Sequence, residues 1–264
     1  MQNRHVDRAR YFEEQTITTK KYVIPYINKL KQIIPNSTIL EIGCGEGGNL
    51  KPFLDLGSKV TGIDISKGKI ENADKFLGDH QFKNNLTLIC NDIYNRNDLG
   101  VFDIIFLRDV IEHIPNQERF MQFMQNFMGK ESMVFFAFPP WQNPFGGHQQ
   151  MCTNKFLSRL PYFHLLPTFL YKGLLRLFNE SQKKIAGLLS IKETGISIER
   201  FERILKQNDY GIKEKTSFLI NPNYEIKFGL KSRKQIKLIS SIPWIRNFFT
   251  TAVYYLVTQN NATK

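Results

Sequence analysis

Ser37-Thr38-Ile39-Leu40-Glu41-Ile42-Gly43-Cys44-Gly45-Glu46-Gly47-Gly48 is the stretch on which the fold turns. Its first six residues read as a buried strand and run straight into a glycine-rich loop, after which Asn49 to Leu56 reads as a helix. Glycine lets the backbone turn tightly and approach a ligand, and the helix that follows opens with unbonded N–H groups. A nucleotide-like group fits there, while a Gly-x-Gly pair by itself also admits phosphate-binding and plain-turn readings.

Outward from this loop, strands and helices alternate. Strands are predicted at Lys59–Ile63, Leu86–Cys90, Phe102–Leu107 and Ser132–Phe138, with helices at Lys67–Phe76, from Val110 to His113 and at Gln117–Met128. Connections of βαβ length between them predict a parallel sheet covered on both faces. Upstream, Tyr11–Ile34 has helical spacing interrupted by Pro25, which suggests two short helices. Downstream, Trp141–Gln150 reads as a loop and Phe156–Phe178 as an insertion of short helices. Regularity returns with a helix at Ser197–Asn208 and strands at Gly211–Ile220 and Phe248–Thr258, the last two separated by a basic segment, Lys227–Arg246.

Two further strand tips carry polar groups. Ile63-Asp64-Ile65 sets a carboxylate about 20 residues past the loop, where it can accept hydrogen bonds from both hydroxyls of a ribose. Asn91-Asp92-Ile93 ends the third strand within reach of an adenine edge. With Phe102-Asp103-Ile104-Ile105, these motifs make the segment from about Ser37 to Pro140 similar to the class I S-adenosylmethionine-dependent methyltransferases, particularly the branch of the ubiquinone-biosynthesis O-methyltransferases.

The resemblance implies an α/β, doubly wound, Rossmann-like sheet of seven mostly parallel strands with an antiparallel last strand, here with a helical insertion. It implies S-adenosylmethionine as cofactor and S-adenosylhomocysteine as product. Gly43 and Gly45 would line the methionine and ribose, Asp64 would hold the ribose, and Asp92 with Ile93 would flank the adenine. Arg108 would approach the sulfonium through its backbone, and Glu41, Cys44, Ile65 and Asn91 complete the expected set. Cys44 reads as a small side chain beneath the cofactor, which argues against covalent base methylation.

Methyl transfer to a hydroxyl needs a base, and two histidines are candidates: His148 in the loop after the fifth strand, and His113 in Asp109-Val110-Ile111-Glu112-His113. In some quinone O-methyltransferases an acid-x-x-Glu-His run at this position binds a divalent cation, and Asp109, Glu112 and His113 match it. A polar helix start stabilised by its acidic residues accounts for the same run without a metal. Phe138-Pro139-Pro140-Trp141 resembles the Pro-Pro-aromatic motif of DNA amino-methyltransferases, but it follows the fifth strand instead of the fourth.

Cys44, Cys90 and Cys152 are too few and scattered for a disulfide framework, which fits a cytoplasmic protein. Met1–Arg10 does not read as a secretory leader, and no apolar stretch approaches the roughly 20 residues of a membrane span. The net charge of +12 is uneven: residues 1–150 carry 17 Lys/Arg against 17 Asp/Glu, and residues 151–264 carry 19 against 7. The basic, aromatic C-terminal half therefore suggests an anionic partner or a peripheral membrane contact, with plain solubility as the simpler reading.

Four regions follow: 1–36, capping helices; 37–140, cofactor-binding core; 141–196, acceptor-site loop and insertion; 197–264, completion of the sheet. The expected activity is methylation of a small acceptor, preferentially on oxygen, with a quinone-like, lipid-linked or saccharide substrate. RNA methylation and a non-catalytic cofactor-binding partner are the alternatives. The absence of a recognisable RNA-binding module lowers the first.

Overall fold

A computed structural model of the chain describes residues 7–260. Residues 1–6, within the stretch expected to carry no leader, and 261–264, at the end of the C-terminal region, lie outside the described residues. Asp7 caps α1 (Arg8–Thr18) by accepting the Arg10 N–H at 2.9 Å. Pro25 does not split the helix as expected. The chain continues through a π turn, Thr19–Val23, into α2 (Ile24–Ile27), and the Ile24 N–H reaches five residues back to the Thr19 carbonyl. That wider turn accommodates a proline with no N–H to donate.

The core then follows the expected alternation: β1 (Thr38–Ile42), α3 (Leu50–Asp55), β2 (Lys59–Asp64), α4 (Lys67–Leu77), β3 (Leu86–Cys90), β4 (Phe102–Arg108), α5 (Gln117–Met124) and β5 (Met128–Phe138). Several boundaries moved, among them the start of the last strand, expected at Phe248 and found at Ala252. Val110–His113 yields only a 3₁₀ turn, Ile111–His113, because Ile114 precedes Pro115 and is extended. Helix α5 stops at Met124, and β5 starts at Met128, four residues earlier than its apolar run.

The insertion contributes α6 (Thr168–Leu177) and α7 (Gln182–Thr194), and the chain closes with α8 (Ile198–Gln207), β6 (Tyr210–Ile220), α9 (Pro222–Phe228), β7 (Arg233–Lys234), α10 (Lys237–Ser240), α11 (Ile245–Phe248) and β8 (Ala252–Gln259). Strand order is β3-β2-β1-β4-β5-β8-β6-β7. Strands β1 to β5 run parallel, and β8 inserts antiparallel between β5 and β6, as the final hairpin requires. The sheet has eight strands because a two-residue strand, β7, is added antiparallel to β6. Two residues carry no alternation from which a strand could be read.

The strands read as near-continuous apolar runs because both faces are covered. Successive residues alternate: Leu40, Ile105 and Phe136 pack with α5 and α8 on one side, and Ile39, Phe106 and Phe135 pack with α2 and α3 on the other. The insertion has a separate apolar cluster that includes Leu157, Phe163, Tyr171 and Leu188. Among the described residues no helix is long and apolar enough to cross a membrane.

Candidate functional site

Strand β1 lies between β2 and β4, so the loops leaving the C-terminal ends of β1 and β4 diverge to opposite faces and open a crevice there. A cavity of about 410 Å³ occupies it. The glycine loop forms one wall. Gly43 and Cys44 donate their N–H groups to the Ile63 carbonyl at 2.7 and 3.1 Å, and Gly43 sits at φ +74°. A Cβ at Gly43 would fall 2.7 Å from Val110 Cγ2, so glycine is required for both backbone angle and space.

Asp64 at the tip of β2 lines the cavity with its carboxylate already oriented. It accepts the Gly45 N–H at 3.0 Å and the Ser66 N–H at 2.8 Å, with Lys69 Nζ at 3.7 Å. Each oxygen retains accepting capacity. Ile65, beside it, is 77% exposed and presents an apolar face to the cavity. Asn91, Asp92 and Ile93 line the adjoining wall from the end of β3. Asp92 is steadied by the Tyr94 N–H at 3.0 Å.

Behind the cavity runs a buried polar network. Glu41 accepts from Asn49 Nδ2 at 2.7 Å, and Asn49 Oδ1 accepts from Arg108 Nη1 at 2.9 Å and from Thr19 Oγ1 at 2.9 Å. Burial pushes the Glu41 carboxyl up to about 8, against the pull of Asn49 and Arg108. Cys44 is also buried, its thiol raised by desolvation, and its sulfur lies where a Cβ on Gly62 would come within 2.9 Å. Glu41, Cys44 and Arg108 are buried, whereas Gly45 is half-buried and a Cβ there would meet nothing within 4 Å. Asn49 and Thr19 were not among the expected residues. The asparagine just after the glycine loop was the one visible hint of the network.

Helix α1 lies on this loop. Arg8 pairs with Glu46 at 3.3 Å, Thr16 Oγ1 donates to the Gly48 carbonyl at 2.9 Å, and a Cβ at Gly48 would fall 2.5 Å from the Phe12 carbonyl oxygen. Gly43, Gly45 and Gly48 have the Gly-x-Gly-x-x-Gly spacing of a dinucleotide loop, but the third glycine here admits a helix.

Also on this cavity, β4 leads into Asp109, held at φ +55°. His113 lines the cavity, and its ring meets that of His148 edge to face at 4.9 Å. Ligating atoms of Glu112, His113 and His148 lie within 4.8 Å of one another, and Asp109 is outside that triangle. Glu112 is only 4% exposed, and neither carboxylate oxygen has a hydrogen-bond partner among the described residues. Burial and the Asp109 charge push its carboxyl well above the usual range. Desolvation holds the His113 imidazolium below its ordinary value, so the ring is neutral at neutral pH. Tyr11 of α1 and Tyr224 of α9 have hydroxyls raised by burial and by Asp109, Tyr11 to about 12. Neither tyrosine was expected.

Residues 14–182 match the family model of the methyltransferase domain. The chain belongs to the methyltransferase domain family. Its fold agrees with that of the domain in solved structures: the magnesium protoporphyrin IX methyltransferase of Synechocystis, solved with bound S-adenosylhomocysteine, is 15% identical with a TM-score of 0.54, covering 95% of this chain and 84% of that one. Among curated methyltransferases, the ubiquinone biosynthesis O-methyltransferase of Pelagibacter ubique is 28% identical over 130 residues, 49% of this chain and 51% of its own. The malonyl-[acyl-carrier protein] O-methyltransferase of Anoxybacillus flavithermus is 34% identical over 107 residues, 40% of this chain and 39% of its own. The methyltransferase domain described here thus spans about half the length of the curated relatives it matches.

Proposed function

We propose that this cavity binds S-adenosylmethionine and that the protein transfers its methyl group to a small acceptor, preferentially at oxygen. The observation that carries the reading is a single cavity lined by both a fixed carboxylate at a strand tip, Asp64, and a neutral histidine, His113. Asp64 would hold the ribose, Ile65 and Ile93 would pack on the adenine, and Asn91 and Asp92 would meet its edge. Gly43 and Gly45 would leave room for the methionine portion, with the buried Cys44 beneath, and Glu41, Asn49 and Arg108 would hold the loop's shape.

When bound, the cofactor supplies a methyl group already activated by its sulfonium. The chain's own task is to align the acceptor and take its proton. His113 and His148 are the residues for that proton, and Tyr11 and Tyr224 would border the acceptor. The regions divide accordingly: 1–36 caps the site, 37–140 holds the cofactor, 141–196 shapes the acceptor site through His148, and 197–264 completes the sheet. The resemblance to quinone and acyl-carrier O-methyltransferases supports a quinone-like or lipid-linked acceptor, and a saccharide is compatible with the same chemistry.

Calorimetric titration with S-adenosylmethionine and S-adenosylhomocysteine, beside Asp64→Ala and with NAD as control, tests this reading. Micromolar binding lost in the variant is the expected result. Binding of NAD in place of both, or of neither by folded protein, would refute it.

The triangle of Glu112, His113 and His148 favours a metal-assisted version of the same reaction. A buried carboxylate without hydrogen bonds facing two imidazoles fits a divalent ion, and nitrogen donors suit zinc or iron better than magnesium. Such an ion would supply Lewis acidity that lowers the pKa of an acceptor hydroxyl. Activity lost on chelation and restored by one of these metals is expected; full activity after chelation, with no metal in the purified protein, would leave the histidines acting alone.

A further inference from the structure

The segment from β7 through α11 is built inside out. Its polar side chains are turned inward onto α8: Glu199 accepts from the Trp244 N–H at 2.9 Å, Arg246 Nε at 2.8 Å and Asn247 Nδ2 at 2.5 Å. Asn247 Oδ1 in turn accepts the Ile198 N–H at 2.8 Å, and Gln235 ties Ser217 to Phe249. The large apolar side chains are left facing solvent. Leu238 is 74% exposed, Trp244 60% and Ile236 56%, with Ile242, Ile245 and Phe249 also exposed. Trp244 is held at φ +65°, so anchoring to Glu199 maintains a backbone conformation that a bulky residue otherwise avoids.

Charge follows the same pattern. Between residues 226 and 249 there are six Lys or Arg and no Asp or Glu. Arg246 is engaged by Glu199 and Glu202, whereas Lys231, Arg233, Lys234 and Lys237 are exposed and join no ion pair among the described residues. Scattered apolar residues on a surface are ordinary, but six of them within one short segment that also carries uncompensated basic residues are not.

We propose that this segment docks on an anionic phospholipid surface, with Leu238 and Trp244 entering the interface and the four cations meeting headgroup phosphates. Tryptophan is suited to that boundary, with an apolar body and one N–H donor, and basic residues without acidic neighbours supply the electrostatic attraction. Exposed leucine and isoleucine favour lipid over nucleic acid, whose phosphates offer them nothing to bury.

The test is co-sedimentation of the full chain with phosphatidylcholine vesicles, with and without phosphatidylglycerol. Binding to the anionic vesicles alone is expected, weakened about tenfold or more in Leu238→Glu/Trp244→Glu and in a variant with Lys231, Arg233, Lys234 and Lys237 all changed to Gln. Thermal melting checks that each variant is folded. In a Trp141→Phe background, which leaves Trp244 as the one tryptophan, its emission should shift to the blue on anionic vesicles. Binding to neither vesicle, binding that survives Leu238→Glu/Trp244→Glu, or preferential capture of an RNA oligonucleotide by the four cations would each overturn the assignment.

Discussion

The two groups of side chains at the cavity, Asp64 on one hand and Glu112, His113 and His148 on the other, are held by different means. Asp64 is fixed by backbone N–H groups from Gly45 and Ser66, the latter two residues away, so its orientation follows from the loop and strand tip themselves. Glu112, His113 and His148 meet only because the turn after β4 and the loop after β5 converge. A site made of backbone tolerates change in surrounding side chains, while one made of side chains on loops is free to be rebuilt for a new partner. The contrast fits a constant cofactor at the first and a variable acceptor at the second.

The largest effect should come from the histidines. His113→Ala and His148→Ala should each lower turnover, the more important of the two by roughly 10²–10⁴-fold, while leaving cofactor affinity within about twofold of the parent protein. Calorimetry beside initial rates separates the two quantities. Loss of cofactor affinity in either variant would erase the distinction between the two groups.

An intermediate effect should come from the insertion that carries His148. Its His164 is fully buried, bonded through Nε2 to the Trp141 carbonyl at 2.8 Å, and pulled down to about 4 chiefly by burial. The folded value lies below the ordinary imidazole value of about 6.5. The neutral ring's contribution is therefore complete above about pH 6.5 and lost as pH falls towards 4, roughly 3 kcal/mol in total. Hydrogen exchange at pH 7.5 and 4.5 should show residues 141–196 opening before the sheet, and His164→Gln should reduce the pH dependence, leaving the smaller part due to Glu180. Equal protection of insertion and sheet at both pH values would contradict this.

The smallest effect sharpens the cofactor side. Gly43→Ala meets both a positive φ and the Val110 side chain, for a cost of about 1–3 kcal/mol in thermal stability. Val110→Ala should recover the steric part but not the backbone part, so a double-mutant cycle ought to give a coupling smaller than the total loss.

The α/β fold was legible because Ile39-Leu40, Ile104-Ile105-Phe106 and Phe135-Phe136 show apolar residues on both faces of each strand, and glycine marks where a strand must turn. Where the sequence pattern was short or competed with proline, it misled: Pro25 was absorbed by a π turn, Pro115 cut a helix to one turn, and β7 left no pattern at all.

By itself, then, the sequence determined the parallel core, the antiparallel closing strand and the positions of Asp64 and Asn91-Asp92-Ile93 at strand tips. Those depend on periodicity and on groups adjacent along the chain. Only the tertiary structure decided that Glu41 and Arg108 meet through Asn49 in a buried network, that His148 rather than Asp109 joins Glu112 and His113, and that Trp244 faces outward. Each of these sets which side chain faces which across long stretches of chain, and that depends on how elements pack and where water is excluded.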